Sequence, residues 1–361
     1  MPPFLAVSRK NHDSLVAAAF LRRGFQADEV APAVYLCAEA ARHGVRAHIA
    51  LRALFNDHYF GSKTGGCIPG AEVEKLSSRF SASEVWNANK KFGPAVAYPA
   101  IDRAIELASK HGIGQVSVDN ASPYLWGGGY VMAAAERGYI AYTHASSPLA
   151  EVAPLGGNRP TLGTNPHSWA FPTSPALGFP LLVDWITSNI DMFRVETLRK
   201  SGKPLPADSA IDSDGNITTD PSSVHALLPF GTHKGYGLSL INEILAAFIG
   251  GSVPSLRGRL TTEKREKNTA TFYFQVIHPE ALSSDNFAMG RNQIDNLKYV
   301  LADILRGNPG ASIPGQMEAE FRYRSDEADA LLFTQEEVDS FNEIARQIGH
   351  SELEPNPVAP E

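Results

Sequence analysis

The stretch that most constrains this chain covers residues 227–251, LLPFGTHKGYGLSLINEILAAFIGG. It joins a turn-forming segment to a long apolar run. His233 and Lys234 lie side by side, with Gly235 and Gly237 close behind them. The apolar residues that follow occupy most faces of a helix, which is typical of a buried helix. The stretch therefore predicts a buried helix whose first turn carries cationic side chains and glycine.

The start of such a helix is suited to binding an anion. Free N–H groups and the helix dipole attract negative charge there, and glycine lets backbone approach a ligand closely. Lys234 and His233 add donors, so we expect a phosphate or a carboxylate as ligand. The alternative, on these residues alone, is a tight turn with a solvated lysine. The stretch is not a Walker loop, and no Gly-x-Gly-x-x-Gly fingerprint occurs in the chain.

Composition excludes several classes of protein. The 361 residues are 43% hydrophobic and 20% charged, as in a globular protein with one large domain or two. A net charge of −7 without any basic run argues against nucleic acid as partner. No apolar run has the length of a membrane span or the form of a signal peptide. Cys37 and Cys67 are the only cysteines, which fits a reducing compartment, so we expect a cytoplasmic protein. The two cysteines do not have the spacing of a zinc site, so we expect no dedicated metal site.

Hydrophobic periodicity predicts helices and strands in alternation. The helical pattern occurs in residues 13–23, 28–43, 47–55, 95–111, 131–137, 189–200, 294–306 and 335–348. The strand pattern occurs in residues 115–119, 139–144, 180–184 and 271–277. This order predicts an α/β or α+β core. We expect loops or linkers in 56–75, 120–130, 145–172, 201–226 and 257–269, and disorder in the tail 351–361.

His48 and Arg52 are the first candidates for catalysis. A helix over 47–55 places two residues four apart on one face. Arginine binds a carboxylate through two parallel hydrogen bonds, and a neighbouring histidine can move a proton. The alternative for His48 is a structural or simply exposed histidine, which is the commoner role of a lone histidine on a helix.

Four separated stretches together resemble one known family. They are residues 153–172 (APLGGNRPTLGTNPHSWAFP), 183–188 (VDWITS), 228–237 (LPFGTHKGYG) and 313–318 (IPGQME). Each is weak alone, but the four in this order are specific. They resemble the malate/L-lactate dehydrogenase family that is distinct from the Rossmann enzymes. It includes sulfolactate and ureidoglycolate dehydrogenases, diketogulonate reductase and piperideine-2-carboxylate reductase, and the resemblance extends over residues 13–348.

The resemblance implies a fold of class α/β (α+β) with a non-Rossmann NAD(P)-binding domain. That domain, expected in 116–290, has a largely antiparallel central sheet. The N-terminal part, 1–115, and the C-terminal segment, 291–350, are expected to form a helical domain together. Members of the family are typically homodimers, use NADH or NADPH without a metal, and interconvert 2-hydroxy acids with 2-keto acids, or cyclic imines with amino acids.

The resemblance also assigns residues to roles. His48 matches the histidine that donates the proton, and Arg52 matches the arginine that holds the substrate carboxylate. Arg194 would hold a second carboxylate if its side chain points inward. The residues expected to bind NAD or NADP are Tyr124, Leu125, Trp126, Ser146, Asp184, Trp185, Ile186, His233, Lys234, Gly235, Gly315 and Arg322.

The chain departs from the family pattern near the proposed proton donor. The serine and glycine that flank the family's histidine are Ala47 and Ile49 here, and a second family histidine is Pro123. One explanation is a doubly anionic substrate held by Arg52 and Arg194. The others are a proton supplied by Tyr124, His58 or His144, and a paralogue that binds NAD(P) without turnover.

The sequence thus predicts an NAD(P)H-dependent oxidoreductase acting on a small 2-oxo or cyclic 2-imino carboxylic acid. A further rival keeps the fold but uses a tightly held cofactor for chemistry without net redox change, such as dehydration or epimerisation.

Overall fold

The computed structural model describes residues 4–54, 66–76, 78–250, 269–283 and 286–358. Its centre is a seven-stranded sheet. In spatial order the strands are β2 (Glu74–Leu76), β3 (Ser83–Asn87), β4 (Ile113–Ala121), β11 (Ala270–Ile277), β5 (Ile140–Ala145), β6 (His167–Phe171) and β7 (Leu181–Trp185). Only β3 and β4 pair in parallel among these described strands, and the other neighbours are antiparallel. The expected fold class and the largely antiparallel sheet are confirmed.

Two smaller sheets lie outside the central one. In the first, β1 (Leu5–Val7) pairs with β12 (Leu331–Phe333) on one side and β13 (Asn356–Pro357) on the other, which joins the two ends of the chain. In the second, β8 (Ala210–Ile211) lies between β9 (Ile217–Thr218) and β10 (Ala226–Leu227). Most of this sheet lies in the stretch 201–226, which was predicted to be a linker. The sequence did not reveal its strands, because strands of two residues show no measurable periodicity.

Helices cover the central sheet and form the ends of the chain. They are α1 (Arg9–Arg22), α2 (Ala27–Arg42), α3 (residues 50–54), α4 (Gly93–His111), α5 (Gly127–Ala135), α6 (Ser174–Leu177), α7 (Met192–Lys200), α8 (His233–Ile249), α9 (Gln293–Leu305), α10 (Gln316–Glu327) and α11 (Gln335–Ile348). Short 3-10 turns occur at Arg46–His48, Pro279–Leu282 and Ala288–Gly290. None of the helices in the described ranges is long and apolar enough to cross a membrane.

The main core lies between the sheet and helices α2, α4 and α5. Trp126, Tyr130, Phe272 and Phe274 are fully buried in it. Helix α4 begins at Gly93 and ends at His111, where Gly112 adopts a left-handed conformation (φ 78°) and closes the helix.

The helix predicted over 47–55 is interrupted. The 3-10 turn Arg46–His48 is followed by Ile49 in an extended conformation (φ −63°, ψ 167°), and helical structure resumes at residue 50. The break turns the Ile49 side chain into the core, where it is 3% exposed. His48 and Arg52 therefore do not share one helix, and the i,i+4 argument for their proximity is wrong. The four-residue spacing of His48 and Arg52 does not reveal that the helix is broken at Ile49, where the side chain is buried.

The three consecutive glycines predicted to form a loop are instead the first turn of α5. A Cβ atom at Gly128 would lie 2.5 Å from Nε1 of Trp126, and one at Gly129 would lie 2.5 Å from Cδ1 of Leu36. Glycine is needed here because the helix packs too closely on its neighbours for a side chain. The three glycines, which predicted a loop, are instead required by close packing.

Helix α8 has the predicted extent but not the predicted burial. Its buried residues are small or polar: Gly235, Ser239, Asn242 and Ala246. The large apolar residues Ile241, Ile244 and Phe248 face solvent, and Phe248 is 86% exposed. Small residues allow the helix to approach the sheet closely, so they take the inner face. We call Ile241, Ile244 and Phe248 the outer face of α8.

Two segments predicted to lack regular structure are ordered. Strand β6 lies within 145–172, and its residues pair with both β5 and β7. In the tail, Leu353 is 3% exposed, its N–H donates to Oδ1 of Asn342 at 2.6 Å, and β13 pairs with β1. The expectation of a disordered tail is thus wrong for residues 351–358, because composition does not show which backbone groups find a partner. The domain boundaries stay a prediction.

Candidate active site

The candidate site is built around β7, the last strand of the central sheet. Two turns that lead into helices are hydrogen-bonded to this strand and the residues after it. The N–H of Leu182 donates to the carbonyl oxygen of Pro314 at 3.2 Å, just before α10. The N–H of Phe230 donates to the carbonyl oxygen of Thr187 at 3.1 Å, just before α8. The starts of α8 and α10 therefore flank one short segment, residues 182–187.

Glycine makes both approaches possible. A Cβ at Gly235 would lie 2.6 Å from the carbonyl oxygens of Phe230 and Thr187. A Cβ at Gly315 would lie 2.7 Å from the backbone nitrogen of Leu182, and Gly315 also has a φ of 93°. Thr232, just before α8, has a φ of 56°, a conformation that β-branched residues rarely adopt. Backbone at both helix starts is thus packed directly against β7.

Of the predicted cofactor residues, one group is brought together by this arrangement. It consists of Asp184, Trp185, Ile186, His233, Lys234, Gly235 and Gly315. His233 and Lys234 are exposed at the first turn of α8. The N–H groups of Lys234 and Gly235 already donate to the carbonyl oxygens of Gly231 and Phe230, and the first turn of α10 carries Glu318. The exposed side chains of His233 and Lys234 are therefore the donors that this group offers to a negatively charged ligand.

The carboxylate of Asp184 accepts a hydrogen bond on each of its two oxygens. Its Oδ1 accepts a hydrogen bond from the Ser168 hydroxyl at 2.6 Å, and its Oδ2 accepts one from Nε1 of Trp126 at 2.9 Å. The residue is accessible to solvent yet densely surrounded by protein. The loss of surrounding water raises its pKa to about 6, although the two donors oppose that shift. Asp184 is therefore held in place by donors on both oxygens while water still reaches it.

Ser168 was missed by the sequence reasoning. It lies directly opposite Asp184 in the register of β6 and β7 and is fully buried. The alternation in His167-Ser-Trp-Ala-Phe171 is the signal that would have revealed the strand. Without that strand, nothing in the sequence connects Ser168 with Asp184.

Trp185 points to the opposite face of the sheet from Asp184, as successive strand residues do. Its ring stacks on His167, with ring centres 5.5 Å apart and planes 8° apart. His144 continues this row, 5.8 Å from His167. Neither nitrogen of His144 has a hydrogen-bond partner in the described ranges, and burial lowers its pKa to about 3. His144 is fully buried, so as the structure stands it cannot reach a substrate.

The loop before α5 contacts Asp184 through Trp126. Tyr124, Leu125 and Trp126 are all buried. The Tyr124 hydroxyl donates to Oγ1 of Thr143 at 2.7 Å, because the Thr143 hydroxyl is itself donated to a backbone carbonyl. Burial raises the pKa of Tyr124 well above its usual value, which makes it a poor acid at neutral pH. The role of these three residues in binding a cofactor stays a prediction.

Two other predicted cofactor residues are engaged elsewhere. Ser146 is fully buried, and its Oγ lies 2.9 Å from Oγ1 of Thr271. Arg322 donates to Glu136 at 2.7 Å and lies 3.7 Å from Asp326. Contact of either residue with a cofactor stays a prediction. The alternative proton donor His58 lies outside the described residues.

His48 and Arg52 meet the start of α7. The guanidinium carbon of Arg52 lies 5.0 Å from the centre of the Phe193 ring. Asp191 accepts a hydrogen bond from the N–H of Arg194 at 2.6 Å and so caps α7. Phe193 and Asp191 were not predicted as site residues. Asp191 lies within the pattern predicted over 189–200, and it marks the true start of the helix, because aspartate is a typical N-cap residue.

His48 is half-buried and lacks polar support. Its Nδ1 is buried without a hydrogen-bond partner among the residues that the structure describes. Burial and, after it, the charge of Arg52 lower its pKa to about 4, and the charge of Asp191 partly opposes this shift. His48 is therefore neutral at pH 7 in the free protein. Arg194 is exposed, and only its backbone contact with Asp191 is defined.

Comparison with known proteins then decides the family. A model of the malate/L-lactate dehydrogenase family matches residues 7–338. The chain belongs to this family. It is 34% identical over 267 residues to the 2,3-diketo-L-gulonate reductase of Citrobacter koseri, which covers 73% of this chain and 77% of that protein.

Solved structures of other malate/L-lactate dehydrogenase family members superpose over almost the whole chain. The Δ1-piperideine-2-carboxylate reductase of Pseudomonas syringae has a TM-score of 0.79 at 25% identity, covering 94% of this chain and 99% of that one. The sulfolactate dehydrogenase of Methanocaldococcus jannaschii has a TM-score of 0.76 at 25% identity, covering 96% and 98%. The prediction of a dehydrogenase or keto-acid reductase in a pyridine-nucleotide-dependent family is confirmed at this level.

Proposed function

We propose that this protein uses NADH or NADPH to reduce a small 2-oxo carboxylic acid, or a cyclic 2-imino acid, to the corresponding hydroxy or amino acid. One observation carries the proposal. Arg52 is half-buried and adjoins His48, and its guanidinium has no carboxylate or carbonyl partner in the described ranges. Buried charges in proteins are normally paired. An unpaired cation in such a place therefore favours an anionic ligand.

A carboxylate on Arg52 would set the geometry of the reaction. Two parallel hydrogen bonds to the guanidinium fix the carboxylate plane, and the 2-oxo carbon is one bond away from it. Holding the reacting carbon in this way supplies much of the rate, because it removes the need for a productive encounter. Reduction adds a hydride to that carbon and a proton to its oxygen or nitrogen. His48 is the group placed to deliver the proton.

The low pKa of His48 agrees with this role only when the substrate is bound. In the free protein, burial and the charge of Arg52 keep the imidazole neutral. A bound carboxylate neutralises Arg52 and adds negative charge nearby, so it raises the pKa of His48. The histidine then takes up a proton in the complex, where the proton is needed. Substrate binding and proton uptake are coupled in this scheme.

The segment around β7 is the proposed place for the nucleotide. When bound, a reduced nicotinamide supplies the hydride. The exposed side chains of His233 and Lys234, in the first turn of α8, are the proposed donors to its phosphates. Asp184 is exposed at the same segment with its orientation fixed by Ser168 and Trp126. Its fixed carboxylate is suited to accept hydrogen bonds from ribose hydroxyls.

We also propose that the protein is a homodimer that acts in the cytoplasm. The outer face of α8 supports the dimer, because it exposes large apolar side chains that a second copy would cover. Cys37 and Cys67 are both free and buried, which supports a reducing compartment.

The reductase proposal is tested by following nicotinamide absorbance. NADH and NADPH are each combined with 2-keto acids, keto diacids and cyclic imino acids. Arg52→Met should raise KM for the accepted acid at least tenfold without changing nucleotide binding, since charge-assisted hydrogen bonds contribute about 1.5–3 kcal/mol each. Arg79→Met is the matched control, since Arg79 also lies 5.0 Å from a phenylalanine ring, at the surface. No turnover of any acid despite nucleotide binding would reject the proposal.

No described residue forms a hydrogen bond with Nδ1 of His48, which favours one rival, a paralogue that binds nucleotide without turnover. In that case His48→Gln would change no rate, while nucleotide would still raise the melting temperature. Chemistry without net redox change would instead leave nucleotide bound to the purified protein.

A further inference from the structure

Phe193 contacts Arg52, the proposed substrate-binding arginine, and has no role in the proposed function so far. We propose that Phe193 is a positioning residue, which holds the plane of the Arg52 guanidinium and so sets the affinity for the 2-oxo acid carboxylate. This inference rests on the proposed function, because it takes the carboxylate on Arg52 from there.

Among the described residues, Phe193 is the one side chain with a defined contact to the Arg52 guanidinium. The guanidinium carbon lies 5.0 Å from the Phe193 ring centre, and none of the described residues accepts a hydrogen bond from the guanidinium. Arginine has several rotatable bonds, so a guanidinium without partners would sample many orientations. Contact with an aromatic face restricts it without using any N–H donor. The fork of donors therefore stays available for a ligand.

Phe193 is itself carried by a well-anchored helix. Asp191 caps α7, and Val195 and Leu198 bury the inner side of that helix. Phe193 is the second residue of α7 and remains 37% exposed. The ring is thus fixed through its backbone but contributes little to the core. Its replacement should alter the arginine contact without unfolding the protein.

The contact also favours one shape of ligand. The Phe193 ring lies 5.0 Å from the guanidinium carbon, so it shields one side of the guanidinium from water and leaves the other side open. A planar carboxylate conjugated to a 2-oxo group can lie in the plane of the guanidinium and bind through two hydrogen bonds. The pair Arg52–Phe193 is therefore a receptor for a planar 2-oxo carboxylate.

The first experiment compares Phe193→Leu with Phe193→Tyr in steady-state kinetics. The leucine variant should raise KM for the 2-oxo acid about three- to tenfold, with kcat and KM for the nucleotide within about twofold. The tyrosine variant retains an aromatic face and should restore KM. Phe80→Leu is the matched control, because it removes the Arg79–Phe80 contact, also 5.0 Å, at an exposed turn. An unchanged KM in Phe193→Leu, or an equal increase in Phe193→Tyr, would overturn the inference.

The second experiment separates this inference from the proposed function. Oxamate, a planar and unreactive analogue of a 2-oxo acid, is titrated into the nucleotide-bound protein by calorimetry. Affinity should fall about three- to tenfold in Phe193→Leu and persist in Phe193→Tyr, whether or not the protein turns over any acid. That result without turnover would reject the reductase and keep the inference. Turnover with equal oxamate affinity in all variants, or no oxamate binding to the unaltered protein, would reject the inference.

Discussion

The Ser168 hydroxyl donates a 2.6 Å hydrogen bond to Oδ1 of Asp184 from the neighbouring strand. Trp126 donates to the other carboxylate oxygen, so both oxygens are fixed from the protein side. The carboxylate nevertheless has a pKa of about 6, because the surrounding protein removes water from it. The site thus holds a carboxylate whose charge is costly close to neutral pH, which is typical of functional positions.

Asp184 should make the protein less stable as pH rises. A carboxyl group whose pKa is higher in the folded state binds more protons there than in the unfolded chain, so the free energy of unfolding falls between about pH 4 and 6. Asp184→Asn should remove this fall, measured by urea unfolding across pH 4–8. Asp212→Asn provides a control of opposite sign, because backbone N–H donors lower the pKa of Asp212. A fall that persists in Asp184→Asn would contradict the assignment.

Gly128→Ala should destabilise the protein by about 1–3 kcal/mol through overpacking. The added methyl group would lie 2.5 Å from Nε1 of Trp126 and 3.1 Å from Oδ2 of Asp184, so it would also displace the carboxylate. Gly237→Ala is the matched control, since nothing lies within 4 Å of a Cβ there. Alanine within α8 should be neutral or stabilise by up to about 1 kcal/mol. Chemical denaturation measures both effects, and equal effects would contradict the packing argument.

The pH dependence of reduction should reveal the state of His48. For the free protein, kcat/KM should decrease as pH rises above about 4, because the neutral imidazole cannot donate a proton. The decrease in kcat should begin at higher pH, because a carboxylate on Arg52 raises the pKa of His48 in the complex. His48→Gln should lower kcat about 100-fold or more and remove both dependences. Identical profiles for the two enzymes would exclude His48 as proton donor.

Phe248→Glu should convert the proposed dimer to a monomer. Phe248 is 86% exposed on the outer face of α8, and a charge there cannot be buried against a second copy without a large cost. Sedimentation velocity measures the change in mass. Phe80→Glu, at another exposed phenylalanine, should leave the mass unaltered. A dimer that persists in Phe248→Glu would place the interface elsewhere.

The sequence predicted a group of cofactor-binding residues, and the fold brings several of them to residues 182–187, while their role in binding a cofactor stays a prediction. Gly235, Gly315 and Lys234 occur in local motifs, which a sequence shows without knowledge of the fold. The extent of α8 followed from its apolar run in the same way. Its burial did not, because apolar residues on most faces leave open which face meets the sheet. The structure shows that the small residues do.

The supporting contacts could not be predicted, because they join residues far apart in the chain. Ser168 reaches Asp184 through strand register, and the strand that carries it was not recognised. Phe193 reaches Arg52 across 141 positions, through the placement of α7 beside a broken helix. The break at Ile49 depends on how one side chain enters the core, which no local spacing encodes.

The position of β7 at the margin of the sheet has a consequence for solubility. Marginal strands offer unpaired backbone groups to other chains and are a common route to aggregation. Here the turns before α8 and α10 bond to the backbone of residues 182 and 187, and their helices stand beside the strand. The helix starts that carry His233 and Gly315 also obstruct a foreign strand. Loosening these turns would therefore expose the edge of β7 and endanger the whole protein by self-association.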